Sequence, residues 1–156
     1  MKVLLYEGNK SLFNTAYSLT ALGQTVYPHG AIWNNGKLYD TTFTRGSFEE
    51  VENGVTGGRT VAVCDIPGDC QDWIDRHIGA KYDVAGVVLW KLGLHSRGNI
   101  FCYEVILGAL LSLDDKKYDL QLGDKVTGRH ILDAMLELGL KFELMQGKQF
   151  NERYLT

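Results

Sequence analysis

The hydrophobic and polar positions of this chain follow two periodicities, which together predict a mixture of helices and strands. Apolar residues that recur every three or four positions predict helices, and short β-rich runs between turn-forming residues predict strands. The predicted helices cover residues 11–23, 69–79, 84–92, 99–113 and 127–139. The predicted strands cover residues 2–6, 25–33, 37–44, 59–66 and a segment that begins at Lys141 and leads into a frayed polar end. Residues 45–58 are polar and Gly-rich, which indicates a solvated turn or a short helix.

A hairpin signal lies between the second and third predicted strands. Asn35-Gly36 separates two β-rich runs, and this dipeptide is typical of a two-residue hairpin turn. Counting outward from that turn pairs Trp33 with Leu38, Ala31 with Asp40, and His29 with Thr42. The hairpin therefore predicts that His29, Asp40 and Thr42 lie on one face of the sheet.

The helix predicted over residues 99–113 carries a cysteine near its first turn. Its apolar face is expected to consist of Val105, Ile106, Ala109, Leu110 and Leu113. Asn99 is the expected N-cap. The helix dipole and the unpaired backbone N–H groups of a first turn favour a thiolate and can stabilise an oxyanion. Cys102 is therefore a candidate nucleophile, and a packing role is the competing interpretation because free cysteines are often buried.

His29 is a candidate base for this thiol, because an activated thiol needs a nearby imidazole that is itself oriented by a polar group. Asp40 and Thr42 are the candidate orienting groups on the predicted hairpin. The competing interpretation is a strand histidine that bonds a neighbouring hydroxyl group. A metal site formed by Cys64, Cys70 and His77 is not expected, because their spacing fits no standard zinc pattern.

Composition and charge narrow the class of protein. A chain of 156 residues with 45% hydrophobic and 22% charged residues predicts one folded domain over residues 1–156. The formal net charge of −3 provides no basic field for nucleic acid or for an anionic membrane. The apolar run at the N-terminus is too short for a signal-peptide core, and no run is long enough to span a bilayer. These features predict a cytoplasmic location.

The cysteine content is consistent with that location. Three cysteines, an odd number, suggest reduced thiols, although a Cys64–Cys70 disulfide remains open at this point. No cofactor is expected, and the sequence does not indicate an oligomeric state.

Four ordered motifs resemble the circularly permuted NlpC/P60 hydrolases, the YiiX- and YebB-like group with a papain-like fold. They are Tyr-Glu-Gly at residues 6–8, Tyr-Pro-His-Gly-Ala-Ile at 27–32 with the Asn-Gly hairpin, Ala-Lys-Tyr-Asp at 80–83, and Ile-Phe-Cys-Tyr-Glu at 100–104. The resemblance covers roughly residues 1–113, and in this group the histidine precedes the cysteine in the chain. It implies an α+β fold in which the Cys-bearing helix packs on a small antiparallel sheet or barrel.

The resemblance also implies roles for individual residues. Cys102 corresponds to the nucleophile and His29 to the base, while the third, polar position matches Asp40, Thr42 or Thr44. Asp40 is the best chemical candidate, since a carboxylate can orient the imidazole and stabilise the imidazolium. Tyr82 corresponds to a tyrosine near the oxyanion site. Tyr103 and Glu104, which follow the cysteine, are expected at the oxyanion or substrate side.

The chain departs from the family pattern at two positions. Tyr103 replaces a small residue after the cysteine, where its bulk would narrow the pocket. Pro28 replaces the serine that usually precedes the histidine.

By this resemblance, a bacterial or phage cysteine hydrolase would attack an amide bond through an acyl-enzyme, and a cell-wall peptide or a related isopeptide is the implied class of substrate. The alternatives are an acyl-ester or thioester hydrolase, an acyltransferase, and a non-catalytic binding module on the same fold. The expected partner is a peptide-like or acyl substrate.

Overall fold

The computed structural model describes residues 1–7, 27, 29–55, 58–84, 99–114 and 128–155 of the chain. Within these residues the fold is α+β, as the sequence predicts. The strands are β1 (Lys2–Tyr6), β2 (His29–Asn34), β3 (Lys37–Thr41), β4 (Phe48–Glu50), β5 (Thr60–Asp65), β6 (Lys81–Tyr82), β7 (Asn99–Ile100) and β8 (Phe142–Gln146). The helices are α1 (Gln71–His77), α2 (Cys102–Leu113), α3 (Gly128–Glu137) and α4 (Gly147–Tyr154).

One antiparallel sheet organises the molecule. Its six strands lie in the order β4-β3-β2-β1-β5-β8, and β6 pairs with β7 in a separate parallel pair. β1 is central, so all five of its residues are buried. Successive side chains of a strand point to opposite faces, and β1 is accordingly apolar on both.

Each face of the sheet supports its own core. On one face, Val3 and Leu5 of β1 pack in the cluster that contains the buried side of α2. On the other, Leu4 and Tyr6 pack in a cluster with Phe150 of α4. The helix that carries the candidate nucleophile therefore lies on one side of the sheet and the C-terminal helix on the other.

Helix α2 packs closely against β2 because β2 contains a glycine at the contact. A Cβ atom added to Gly30 would lie 2.5 Å from Cδ1 of Ile106 and 3.2 Å from the backbone oxygen of Leu4. A side chain at this position would therefore push the helix away from the sheet. The predicted helical face is confirmed where Val105, Ile106, Ala109 and Leu110 are all fully buried, and Leu113 is half-buried.

The predicted β2–β3 hairpin is confirmed in its turn and in the register beside the turn, whereas the predicted pair His29–Thr42 is not part of the ladder, because β3 ends at Thr41. Trp33 pairs with Leu38 across the strands, and Asn34 pairs with Lys37. Asn35 and Gly36 both have positive φ angles, of 49° and 83°, as a type I′ turn requires.

Strand β3 is shorter than predicted, because a turn begins directly after Thr41. The Thr42 hydroxyl accepts a hydrogen bond from the Arg45 N–H at 3.2 Å, and the Thr42 carbonyl accepts one from the Gly46 N–H at 2.9 Å. These local bonds replace the strand ladder. Thr44 therefore lies in this 42–46 turn and not in the strand.

Two elements differ from the sequence prediction because contacts with distant residues determine their secondary structure. The polar 45–58 segment contains β4, which pairs with β3 and fully buries Phe48. The C-terminal end is helix α4 and not a frayed tail, since Phe150 is fully buried and Asn151 bonds the backbone N–H of Val55 at 2.8 Å.

Helix boundaries also differ in detail. Asn99 lies in β7, so it is not the N-cap of α2, which begins after Phe101. The predicted 69–79 helix is α1, and the Asp69 carboxylate accepts a hydrogen bond from the Gln71 N–H at 2.9 Å. In α3, Ile131 and Met135 are buried as predicted, whereas Leu138 follows the helix and is exposed.

Some predictions fall on residues outside the described ranges. These are all of the 11–23 helix, residues 85–92 of the 84–92 helix, residues 25 and 26 of the strand predicted from residue 25, Pro28, and the first residue of the 127–139 helix. In the described part of the chain, no helix has the length and apolar character needed to cross a membrane.

Candidate active site

The candidate site is built around His29, the first residue of β2. Pairing of β1 with β2 places Tyr6 opposite His29, and the two rings lie 5.0 Å apart. On the other side, the β2–β3 register brings Asp40 into a diagonal position. The His29 Nε2 atom lies 3.1 Å from Asp40 Oδ2, which is hydrogen-bonding distance.

Cys102, the first residue of α2, interacts with the His29 ring closely enough to raise the pKa of the imidazole. Because Nε2 faces Asp40, the other ring nitrogen, Nδ1, is the one available to the thiol. The imidazole thus bridges a carboxylate on the sheet and a sulfur at the start of the helix. The structure brings together Cys102, His29 and Asp40, which are widely separated in the sequence.

The electrostatics of this bridge favour a protonated imidazole. Burial alone would lower the pKa of His29, but hydrogen bonds and charge interactions with Asp40 and Cys102 outweigh it and raise the pKa to about 9. Burial alone would raise the pKa of Asp40, but His29 and Arg45 lower it overall. Each partner therefore stabilises the charged form of the other.

Arg45 is a site residue that sequence reasoning missed. Its guanidinium bonds Asp40 through Nη1, and its Nε lies 3.5 Å from Oε1 of Glu49. The carboxylate of Asp40, which is 5% exposed, is thus held between an imidazole and a guanidinium.

Among the described residues, neither of the two threonines considered as third residues forms a side-chain hydrogen bond with the imidazole. The Thr42 hydroxyl lies 3.1 Å from the Thr44 hydroxyl and also accepts the Arg45 N–H. Of the three candidates, Asp40 is the one whose side chain bonds His29.

Tyr82 lies near the thiol, as the sequence predicts. The parallel pairing of β6 with β7 sets Tyr82 beside Ile100, two residues before Cys102. Burial, followed by the charge of Cys102 and that of Asp83, raises the pKa of the Tyr82 hydroxyl well above its ordinary value. That hydroxyl stays protonated at neutral pH and is available as a donor.

The backbone at the start of α2 offers a second hydrogen-bond donor near the thiol. The first N–H groups of a helix have no acceptor within the helix, and Cys102 is the first residue of α2. Its N–H group is therefore a candidate to stabilise an oxyanion formed on a carbonyl bound to its own sulfur.

Tyr103 and Glu104 have structural surroundings that differ from the predicted ones. Tyr103 is fully buried and its hydroxyl donates to the backbone carbonyl of Tyr27, so its ring packs in the core. The Glu104 carboxylate accepts a hydrogen bond from the Phe101 N–H at 2.9 Å. This contact fixes the start of α2 and thereby the position of Cys102.

The other two cysteines are unpaired and buried, so the Cys64–Cys70 disulfide left open by the sequence is not formed. Burial raises the pKa of the Cys64 thiol to about 11, and it does the same for Cys70. Both thiols are therefore protonated at neutral pH.

Within the described ranges, no cluster of three or more His, Cys, Asp or Glu side chains has the arrangement of a metal site. The chemistry that this arrangement offers is nucleophilic attack by sulfur with proton transfer through an imidazole. Comparison with protein-family models, with curated proteins and with solved structures found no match to this chain.

Proposed function

We propose that this protein is a cysteine hydrolase that cleaves amide bonds through an acyl-enzyme on Cys102. The observation that carries the proposal is the His29 imidazole, which bonds Asp40 at 3.1 Å and whose pKa is raised by its interactions with Asp40 and Cys102. A thiol, a base and an orienting carboxylate in this order are the parts that nucleophilic catalysis by cysteine needs. The permuted papain-like fold suggested by the motifs belongs to the same proposal.

In the proposed reaction, His29 holds the proton of the Cys102 thiol and the thiolate attacks the substrate carbonyl. A carbon–sulfur bond forms, and the carbonyl electron pair moves onto the oxygen, where the Cys102 N–H and the Tyr82 hydroxyl donate to it. The imidazolium then gives its proton to the leaving amine as the carbon–nitrogen bond breaks.

The second half of the reaction regenerates the thiol. His29 takes a proton from a water molecule, which attacks the thioester carbonyl and releases the acid. Asp40 stays ionised throughout and orients the ring, because its pKa is lowered by His29 and by Arg45.

A second candidate is hydrolysis or transfer of an acyl ester or thioester, and one observation favours it. Phe43 is 57% exposed, and its ring lies edge-on to that of Tyr82 with centroids 6.4 Å apart. This exposed aromatic residue near the thiol suits an apolar acyl chain. Peptide-like and acyl substrates therefore belong in the same assay.

A third candidate is a binding module without catalysis, and the burial of Cys102 favours it. Cys102 is only 5% exposed, so a substrate carbonyl has little access to the sulfur in this conformation.

The acyl-enzyme itself provides the test. The protein is mixed with p-nitrophenyl acetate, and intact-mass measurement then follows the acetylated chain while absorbance follows nitrophenol release. We expect one acetyl group per chain, located on Cys102 by peptide mapping, and its loss in Cys102→Ala.

Cys70→Ala is the matched control, since it also removes a buried thiol, and it should still form the acetyl-enzyme. Acetylation at the same rate in Cys102→Ala, or none in the wild type, would contradict the hydrolase and favour the binding module. Competition between a peptide amide and a long-chain acyl ester then separates the first two candidates.

A further inference from the structure

A small cavity lies beside the imidazole, on the side that faces Asp40. Its volume is about 150 Å³. Among the side chains that line it are those of Tyr6, His29, Asp40, Thr42, Arg45 and Arg59. Cys102 is not one of the described residues that line it, so the cavity lies apart from the thiol.

The lining is rich in positive charge. Among the described residues that line it, Arg45, Arg59 and an imidazole whose pKa is raised to about 9 face one carboxylate, that of Asp40. Glu49, which pairs with Arg45, is 44% exposed in its side chain and is not one of the described lining residues. Buried or half-buried cations are costly unless an anion compensates them.

Among the described residues that line the cavity, Arg59 is the cation without a carboxylate partner. It is half-buried, and its guanidinium carbon lies 5.9 Å from the centre of the Tyr6 ring. In the described ranges of the chain, no carboxylate forms an ion pair with Arg59. A guanidinium on an aromatic face still has free N–H donors, which match the oxygen atoms of a carboxylate or a phosphate.

Arg45 is the second guanidinium that can donate to an anion, and contacts with Asp40 and Glu49 hold it in position. Asp40 and Glu49 occupy its Nη1 and Nε atoms, so the guanidinium is fixed before any ligand arrives. Further N–H donors of this fork remain for a ligand, since arginine carries five. The Tyr6 hydroxyl is also available as a donor, because burial and the Asp40 charge keep it protonated.

We propose that this cavity is a binding site for a compact anionic group, a carboxylate or a phosphate, held by Arg59 and Arg45. The volume suits a group of this size and is too small for a nucleotide or another drug-sized ligand. Bidentate contacts from two guanidinium groups would give the site both affinity and geometric selectivity.

The anionic group has two possible sources. It is either a charged arm of the substrate that extends past the imidazole, or a free anion that binds next to the catalytic residues. Binding of an anion does not depend on the proposed hydrolase function. Its assignment to the substrate rests on that function.

The first experiment measures binding alone. Inorganic phosphate is titrated by calorimetry into the wild type, Arg59→Met and the control Arg153→Met, with ionic strength held constant by sodium chloride. Arg153 is a suitable control because it is exposed and pairs with Glu143 on the surface. Circular dichroism and melting temperature verify that each variant is folded.

We expect phosphate to bind the wild type and Arg153→Met equally well. Arg59→Met should bind at least about tenfold more weakly, the loss expected for one charged hydrogen bond. Arg59→Lys should fall between them, because it keeps the charge and loses the fork. Equal binding by Arg59→Met and the wild type, or no binding of phosphate or succinate to the wild type, would overturn the proposal.

Two further measurements separate the hydrolase from the anion site and distinguish the sources. Cys102→Ala cannot form an acyl-enzyme and should still bind phosphate, so failure of the hydrolase proposal leaves the anion site intact. If the anion belongs to the substrate, Arg59→Met should reduce the ratio of kcat/KM for a p-nitrophenyl hemiglutarate over the neutral acetate by about tenfold. An unchanged ratio together with lost phosphate binding identifies a free anion.

Discussion

His29 is the residue on which the candidate site depends, because it contacts both the sheet side and the helix side of the molecule. Its side chain is 15% exposed, so the contacts with Asp40 and Cys102 act with little screening by water. A histidine that is protonated at neutral pH beside a cysteine is the condition under which sulfur reacts as a thiolate.

The raised pKa of His29 should depend on both of its partners. We expect Asp40→Asn and Cys102→Ser each to lower this pKa from about 9, by roughly one unit or more, since each replaces an ionisable partner of the ring with a neutral one. NMR titration of the imidazole resonances measures the change. Cys70→Ser is the control and should leave the value unchanged. An identical His29 titration in all of these proteins would contradict the bridge.

The same pKa values set the pH range in which the site stabilises the fold. The pKa of His29 is raised, so its contribution is complete below about pH 6.5, the unfolded value, and is lost as the pH rises through about 9. The pKa of Asp40 is lowered, so its contribution is present above about pH 3.9 and is lost as the pH falls through its folded value. The difference in melting temperature between the wild type and His29→Ala should therefore shrink between about pH 6.5 and 9. A difference that is constant over this range would argue against a charged pair.

Removal of His29 also separates catalysis from packing. We expect His29→Ala to stay folded and to slow both the alkylation of Cys102 and any hydrolysis, the latter by a factor of about 10² to 10⁴. Asp40→Asn should cause a smaller loss, since Asp40 orients the ring and does not transfer the proton. Iodoacetamide labelling followed by mass spectrometry gives the alkylation rate.

His77→Ala is the matched control, because His77 stacks on Trp73 in α1 and does not bond the thiol. A purely structural His29 would give the opposite pattern. His29→Ala would then lose about 1 to 3 kcal/mol of stability and leave the reactivity of Cys102 unchanged.

At the scale of elements, sequence reasoning found those that have a local signal and missed those that depend on tertiary contacts. The β2–β3 register was predictable because Asn35-Gly36 sets it within a few residues. Strand β4 was not, because Phe48 is its one apolar residue and the strand depends on pairing with β3. Helix α4 was missed for the same reason. Its residues are mostly polar, and the fully buried ring of Phe150 holds the helix on the sheet.

That ring offers a direct test of α4. Phe150 is fully buried against the sheet, so Phe150→Ala should lower the free energy of unfolding by about 3 to 5 kcal/mol. Leu144→Ala on neighbouring β8 is the control, because Leu144 is 66% exposed and its loss should change stability by about 0.5 kcal/mol or less. Urea denaturation of the three proteins compares them. Equal stability of both variants would mean that α4 does not pack on the sheet.

At the scale of the whole molecule, the site lies where two separately buried layers meet. Tyr6 and Asp40 approach His29 from the sheet, and Cys102 approaches it from α2. Sequence reasoning found Cys102 and His29 from the order of short motifs and from the chemistry of a helix start. It could not find Arg45 and Arg59, because their place beside Asp40 and Tyr6 depends on the path of the chain between strands.

The arrangement of the whole fold also predicts which of the three cysteines reacts. Cys64 in β5 and Cys70 before α1 are buried in the core, and burial raises the pKa of each to about 11. Cys102 is buried as well, but it interacts with the His29 imidazole and begins a helix, and these two features distinguish it from Cys64 and Cys70. We therefore expect brief iodoacetamide treatment near neutral pH to label Cys102 first, with Cys64 and Cys70 labelled only after unfolding. Peptide mapping of the native protein, and of the protein in urea as a reference for full access, measures all three rates. Equal labelling of the three cysteines in the native protein, or labelling of Cys70 alone, would show that Cys102 has no special reactivity.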